Sequence, residues 1–110
     1  MGDMRESEVT AAIVRFLRRR GWNAKRQNVA RVQLEDGRRI AFGKRAQADW
    51  AFDHPQFGLL EVEMKAPGKK PTKAQAEYLA TAVAVRKIKA TWTDDPAKFE
   101  RWYAENYPTV

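Results

Sequence analysis

Apolar residues alternate with polar or charged residues in two stretches near the middle of the chain. The first is "AQADWAF" (residues 46–52), with Ala48, Trp50 and Phe52 on one side and Gln47 and Asp49 on the other. The second is "LLEVEMK" (residues 59–65), in which Leu60, Val62 and Met64 alternate with Glu61, Glu63 and Lys65. A period of two predicts β-strands with one buried face. The intervening "DHPQFG" supplies turn residues, so we expect a hairpin.

Three other segments have the spacing of helices. The first spans about residues 5–20 and ends before Gly21; its apolar stripe consists of Val9, Ala12, Ile13, Phe16 and Leu17. The second runs from Thr72 to about Arg86, with an apolar face of Ala76, Leu79, Ala80 and Val83. The third is "AKFERWYAEN", after Asp95 as N-cap and Pro96 at the first helical position.

The remaining extended segments complete an α/β pattern. "WNAKRQNVARVQL" and "RRIAFG" predict strands around a turn at Asp36-Gly37, and "KATWT" predicts a short last strand. Trp22, Trp92 and Trp102 lie in apolar patterns and are expected in the core. The sequence therefore predicts a single domain over residues 1–110. Its order is roughly α-β-β-β-α-β-α, a mixed sheet flanked by helices.

Charge and composition narrow the functional classes. The 21 Lys and Arg against 14 Asp and Glu leave a net charge of +7, which favours a polyanionic partner such as nucleic acid. There is no Cys, and no apolar run approaches the length of a membrane span, so we expect an intracellular, cytoplasmic protein without membrane contact. No Gly-rich phosphate loop is present, and no nucleotide cofactor is expected.

The hairpin brings acidic residues together. If its strands pair symmetrically about the turn, residues whose numbers sum to about 112 lie opposite one another, so Asp49 faces Glu63. Opposed carboxylates repel unless a cation or proton lies between them. Oxygen ligands at this spacing suit Mg²⁺ or Mn²⁺, and Lys65 could orient a water or stabilise a charged transition state. The alternative is an ordinary solvated strand face.

A longer set of motifs resembles the VRR-NUC (virus-type replication-repair nuclease) family of the PD-(D/E)XK nuclease superfamily. The motifs are "RESEVTAAIVRFLRRRG", "RQN", "GKRAQADWAF" and "LLEVEMKAPGKKPTKAQ", in that order over about residues 5–85. Ala48 replaces the family's Pro before the motif aspartate, and "VARVQLEDGRRIAF" lengthens the region upstream. The resemblance implies a restriction-endonuclease-like fold and a metal-dependent DNA endonuclease. It also implies a homodimer that resolves Holliday junctions.

The resemblance assigns roles to single residues. Asp49 and Glu63 become metal ligands together with the backbone carbonyl of Met64, and Lys65 becomes the catalytic lysine. Glu61, on the same face, competes with Glu63 for the ligand role. The early acid of the family is Glu6 or Glu8; the helical stripe favours Glu6, because it extends the inward-facing side by one turn. Gln75 is an active-site residue by resemblance, whereas its spacing from Thr72 is that of a capping box.

Basic residues surround the proposed site in the sequence and could hold phosphates: Lys44, Arg45, Lys69, Lys70 and Lys73. By resemblance, Arg26 and Asn28 also line the cleft. The alternative for each is solvated loop charge. We therefore expect a structure-specific DNA endonuclease acting on branched DNA. The sequence is compatible with a phage gene as well as with a host gene. A flap or duplex-nicking nuclease and a non-catalytic basic nucleic-acid-binding module remain the competing hypotheses.

Overall fold

A four-stranded sheet lies between helices packed on its two faces. The structure is a computed structural model that describes residues 4–27, 30–33, 39–42 and 48–108. In this part of the chain the helices are α1 (Glu6–Arg18), α2 (Lys73–Ala84) and α3 (Pro96–Asn106). The strands are β1 (Asn23–Arg26), β2 (Ala30–Gln33), β3 (Arg39–Phe42), β4 (Trp50–His54), β5 (Gly58–Met64) and β6 (Lys89–Thr93).

The strand order of the main sheet is β1-β4-β5-β6. The β1–β4 and β4–β5 pairs are antiparallel, whereas β5 and β6 are parallel and are connected through α2. Strands β2 and β3 form a separate antiparallel pair. With that pair set aside, helices and sheet strands follow the order α-β-β-β-α-β-α. The predicted α/β class with a mixed sheet is confirmed.

The β4–β5 hairpin has the register expected from the alternation. Trp50 lies opposite Val62 and Phe52 opposite Leu60, so the paired numbers sum to 112. Gly58 begins β5 with a φ of 80°, a left-handed conformation that a residue with a Cβ adopts only with strain. The turn therefore closes on a glycine, and the apolar residues of both strands face the same side.

That side, which we call the apolar face, consists of Phe52, Leu60, Val62 and Met64, none more than 1% exposed. Helices α1 and α3 cover it with apolar and aromatic side chains: Val9, Ile13, Leu17, Phe99 and Tyr103. Burying one such side chain contributes about 1.5–3 kcal/mol, so this face supplies most of the hydrophobic stabilisation of the fold. Trp22 and Trp102 pack here as expected, and the Trp22 indole N–H donates to the Tyr103 hydroxyl at 3.0 Å.

Local signals set the ends of the helices. Gly21, with a φ of 90°, follows α1 and turns the chain towards β1. Asp95 accepts a hydrogen bond from the Ala97 N–H at 2.9 Å, and Pro96 occupies the first position of α3. These caps agree with the sequence-based predictions.

Helix α2 packs against the sheet with a different side from the one its apolar residues predict. Of the predicted apolar face, Leu79 is buried, together with Ala82 from outside that face. The remaining three predicted members are exposed: Ala76, Ala80 and Val83. Trp92, on the neighbouring strand β6, is 36% exposed, so its prediction as a core residue was wrong. The physical reason is that α2 covers the other side of the sheet, where carboxylates need hydrogen-bond donors rather than methyl groups.

No helix in the described ranges has both the length and the apolar character needed to cross a bilayer.

Candidate active site

The second side of the sheet, which we call the acidic face, presents Asp49, Glu61 and Glu63 towards α2. Glu63 is its most enclosed member, 2% exposed. Its Oε2 accepts a hydrogen bond from the Asp49 backbone N–H at 3.0 Å. Its Oε1 accepts one from Gln75 Nε2 at 3.2 Å and lies 3.3 Å from Lys65 Nζ. Three residues that the sequence places in the site thus meet around the carboxylate of a fourth.

The environment of Glu63 opposes its negative charge. Burial raises the pKa of this carboxyl group from 4.5 to about 7, and the nearby charge of Asp49 adds to the increase. The Asp49 N–H and the Lys65 ammonium act in the opposite direction but do not offset it. The protein alone therefore leaves the Asp49–Glu63 pair short of positive charge, which is the electrostatic condition that favours a bound cation or proton.

The donor chemistry of this pair fits a hard divalent ion. Asp49 and Glu63 offer two carboxylates, and within the described residues no group of three or more His, Cys, Asp or Glu side chains could hold a metal. Mg²⁺ is commonly bound in this way, with water and substrate phosphate completing its six ligands. The Met64 side chain is fully buried in the core, which leaves only its backbone carbonyl for the predicted ligand role. That role stays a prediction.

Gln75 forms the predicted capping box and also contacts Glu63, while its active-site role stays a prediction. Its Oε1 accepts from the Thr72 N–H at 2.9 Å, while the Gln75 N–H donates to Thr72 Oγ1 at 3.1 Å. This reciprocal pair is the capping box at the start of α2. The amide nitrogen of the same side chain contacts Glu63. The cap therefore fixes the rotamer of a side chain that reaches the candidate site.

Glu61, the competitor for the ligand role, is engaged elsewhere. It is 4% exposed, and its Oε1 accepts from the Tyr78 hydroxyl at 2.7 Å and from Arg86 NH1 at 3.2 Å. Its Oε2 accepts from Gln27 Nε2 at 3.2 Å. Burial raises the pKa of Tyr78, and its hydrogen bond to Glu61 adds to the effect. Because the charge of Glu61 is balanced by Arg86, the contacts favour Glu63 as the ligand.

Sequence reasoning missed Gln27, Tyr78 and Arg86. Gln27 follows β1 and lies beside Asp49, with its backbone N–H donating to the Asp49 carbonyl at 2.8 Å. Period-two alternation along β1 puts it on the acidic face together with Lys25. Tyr78 lies three residues after Gln75, on the same side of α2. The alternation and the helical spacing were available signals, but neither identifies the partner of a polar side chain.

Two predicted site residues are not brought to Glu63. Glu6 is exposed, so the inward-facing position that favoured it over Glu8 was wrong. Glu8 caps α1 by accepting from the Arg5 N–H at 3.2 Å. Arg26 pairs with Trp50, whose ring stacks on Phe52, and therefore points to the side of the apolar face. Its contact with substrate stays a prediction without support from its position.

The predicted phosphate-binding lysines Lys69, Lys70 and Lys73 are exposed between Lys65 and the first turn of α2. Their loop is held by Asp94, whose Oδ2 accepts from the Gly68 N–H at 2.9 Å. That hydrogen bond lowers the pKa of Asp94. Asn28, Lys44 and Arg45 lie outside the described residues.

In comparisons with known proteins, no protein-family model, curated protein or solved structure matches this chain.

Proposed function

We propose that the protein is a divalent-metal-dependent DNA endonuclease of the VRR-NUC type. The observation that supports this proposal is the meeting of Asp49, Lys65 and Gln75 around the buried carboxylate of Glu63. Asp49 precedes β4, Lys65 follows β5 and Gln75 lies in α2, and the three come together at one end of β5. Their pattern is that of a site for phosphodiester hydrolysis, in which two carboxylates bind Mg²⁺ or Mn²⁺ and a lysine acts beside them.

The side chains of the candidate site would have different roles in phosphodiester hydrolysis. A divalent ion bound by Asp49 and Glu63 would supply positive charge to the scissile phosphate and lower the pKa of an attacking water. The Lys65 ammonium has three N–H donors; the one directed at Glu63 leaves two for a water or a phosphate oxygen. Gln75 donates one amide hydrogen to Glu63, and its second can orient the same water.

The substrate in this proposal is branched DNA, with a Holliday junction preferred. The net charge of +7 and the exposed lysines between β5 and α2 suit the phosphate backbone on either side of the scissile bond. A four-way junction carries two equivalent cleavage positions, so two identical sites related by a two-fold axis would match it. A homodimer is therefore part of the proposal.

A cleavage panel tests the proposal. Labelled junction, flap, duplex and single-stranded DNA are incubated with the protein in Mg²⁺, Mn²⁺ or EDTA, beside Asp49→Asn and Lys65→Ala. We expect symmetrical junction cleavage that needs metal, that is abolished in Asp49→Asn and that is reduced by about 10²–10³-fold in Lys65→Ala, while both variants still bind DNA. Failure to cut any substrate would end the enzyme hypothesis, and cleavage in EDTA would end the metal mechanism.

The net charge supports one second candidate, a non-catalytic basic module that binds nucleic acid. Here the carboxylates serve only to balance nearby lysines. Binding in a gel-shift assay, unchanged by Asp49→Asn and without cleavage in the panel above, would favour this candidate.

A further inference from the structure

We propose that Gln27, anchored by Glu61, is a positioning residue that holds Asp49 against Glu63 in the metal-binding geometry. This inference rests on the proposed function, because it concerns the same pair of carboxylates. It assigns a role to two residues that lie outside the Glu-x-Lys motif. It also gives the buried Glu61 a purpose other than binding the metal.

The Ala48–Asp49 segment is held by a small set of hydrogen bonds. Gln27 Nε2 donates to the Ala48 carbonyl at 3.2 Å, and the Gln27 backbone N–H donates to the Asp49 carbonyl at 2.8 Å. The Asp49 N–H donates to Glu63 at 3.0 Å. Gln27, the residue after β1, thus donates to both backbone carbonyl groups on either side of the Asp49 Cα.

Gln27 is itself fixed from the other side. Its Nε2 also donates to Glu61 Oε2 at 3.2 Å, while Tyr78 and Arg86 hold Glu61 Oε1. Arg86 NH1 in addition donates to the Tyr78 hydroxyl at 2.8 Å. A continuous chain of polar contacts therefore runs from α2 and the segment after it, through Glu61 and Gln27, to the backbone beside Asp49.

Such an anchor has a physical reason. Asp49 and Glu63 are neighbouring carboxylates, and like charges at short range repel each other. Before a metal binds, this repulsion favours moving the Asp49 segment away from β5. Hydrogen bonds to the backbone oppose the movement and keep two oxygen ligands within reach of one ion. A preorganised site loses less free energy in ordering when the ion binds.

Stability alone does not account for the network. A buried carboxylate paired with Arg is often no more stabilising than well-packed apolar residues of similar volume. Apolar residues at 27, 61 and 78 could fill the same space, but they could not hold the Ala48 carbonyl. The specific consequence of the polar arrangement is the position of the Asp49 backbone.

The test measures metal binding without DNA or turnover. Mn²⁺ is titrated into the EDTA-stripped full-length protein by calorimetry, for wild type and for Gln27→Met. Methionine keeps the length and the unbranched shape of the side chain but removes its donors, while the backbone N–H at position 27 is retained. We expect Mn²⁺ binding to weaken by about 10- to 100-fold, the usual loss when a partner that orients a metal ligand is removed.

The matched control lies on the opposite face of the sheet. Tyr103→Phe removes the acceptor of the Trp22 indole hydrogen bond, so it also deletes one buried polar contact. Its thermal midpoint should fall by an amount similar to that of Gln27→Met, with Mn²⁺ affinity unchanged. Tyr78→Phe, which loosens Glu61 without touching Gln27, should weaken Mn²⁺ binding by less than Gln27→Met does.

The outcomes separate this inference from the proposed function. If wild type binds Mn²⁺ and Gln27→Met binds it equally well, the positioning role is overturned while the metal site stands. Equal losses of Mn²⁺ affinity in Gln27→Met and Tyr103→Phe would show a general effect of destabilisation, which also overturns it. If wild type itself does not bind Mn²⁺, both proposals fail.

Discussion

The two faces of one hairpin solve opposite physical problems. On the apolar face, Phe52, Leu60, Val62 and Met64 exclude water against α1 and α3. On the acidic face, Glu61 and Glu63 are almost as deeply buried, 4% and 2% exposed, but as carboxylates. Burial stabilises the first group and destabilises the charged form of the second. The same degree of burial therefore stabilises the fold on the apolar face and disfavours ionised carboxylates on the acidic face.

The comparison also separates two buried carboxylates only two residues apart. Glu61 has an arginine, a tyrosine hydroxyl and the Gln27 amide as partners, whereas Glu63 has a lysine, the Gln75 amide and a second carboxylate beside it. Glu61 is thus paired with one guanidinium, whereas Glu63 and the neighbouring Asp49 share the ammonium of Lys65. A difference of this kind distinguishes a structural acid from a functional one better than exposure does.

The largest effect on stability is expected on the apolar face. Leu60→Ala removes a fully buried side chain and should lower the free energy of unfolding by about 2–5 kcal/mol. Val83 on α2 is 50% exposed, so Val83→Ala should change the free energy of unfolding by less than about 0.5 kcal/mol. Urea denaturation measures both. Similar losses would mean that α2 buries its apolar side after all.

The largest effect on activity is expected on the acidic face. Lys65→Ala should reduce the cleavage rate by about 10²–10³-fold, because a donor directed at the developing charge is lost. The same substitution should also lower stability, because the Lys65 side chain is only 16% exposed and its ion pair is with the buried Glu63. Lys98→Ala removes an exposed lysine on α3 and serves as the control in single-turnover assays. Cleavage by Lys65→Ala at the wild-type rate would remove the lysine from the mechanism.

The acidic face should also make stability depend on pH. Glu63 binds a proton in the folded state up to about pH 7 but only up to 4.5 when unfolded. Between these values the folded state holds more protons, so the free energy of unfolding of the metal-free protein falls as pH rises. The fall amounts to up to roughly 3 kcal/mol, and below pH 4.5 it is absent.

Glu63→Gln isolates this dependence, since glutamine does not titrate. Thermal melts in EDTA at pH 5 and pH 8 should show a smaller decrease for Glu63→Gln than for wild type. Glu77→Gln, at an exposed position of α2, should behave as wild type does. An equally steep decrease in Glu63→Gln would place the titration at another group.

A smaller and asymmetric effect is expected at Glu61. Arg86→Met leaves a buried carboxylate without its positive partner and should cost about 1–3 kcal/mol. Glu61→Gln leaves the guanidinium of Arg86, whose side chain is 39% exposed and can be hydrated, so the cost should be lower. Denaturation of both variants measures the difference. The reverse order would show that Glu61 is less dependent on Arg86 than its contacts indicate.

Much of the site followed from local patterns. Alternation in residues 59–65 determined which side chains enter the core, because a strand has a period of two and a shift by one residue reverses both faces. The turn between the strands then placed Asp49 beside Glu63. The capping box at Thr72 and Gln75 and the N-cap at Asp95 were equally local, since each joins residues within one helical turn.

The partners of the polar residues did not follow from such patterns. Gln27 and Glu61 are 34 positions apart, and Arg86 and Glu61 are 25 apart, so no period links them. The side of α2 that docks was predicted wrongly for a related reason. Its alanines and Val83 have little apolar surface to bury, while Gln75 and Tyr78 can hydrogen-bond to two buried carboxylates.

The sequence by itself therefore determined the central hairpin, its register and the acidic residues that share a face, because these depend on spacing along one chain segment. Only the tertiary structure decided which of those acids is neutralised. That choice depends on donors brought from β1, α2 and the segment after α2, which meet only when the sheet and its helices pack. Glu61 acquires a guanidinium and Glu63 does not, and this difference leaves Glu63 as the candidate ligand.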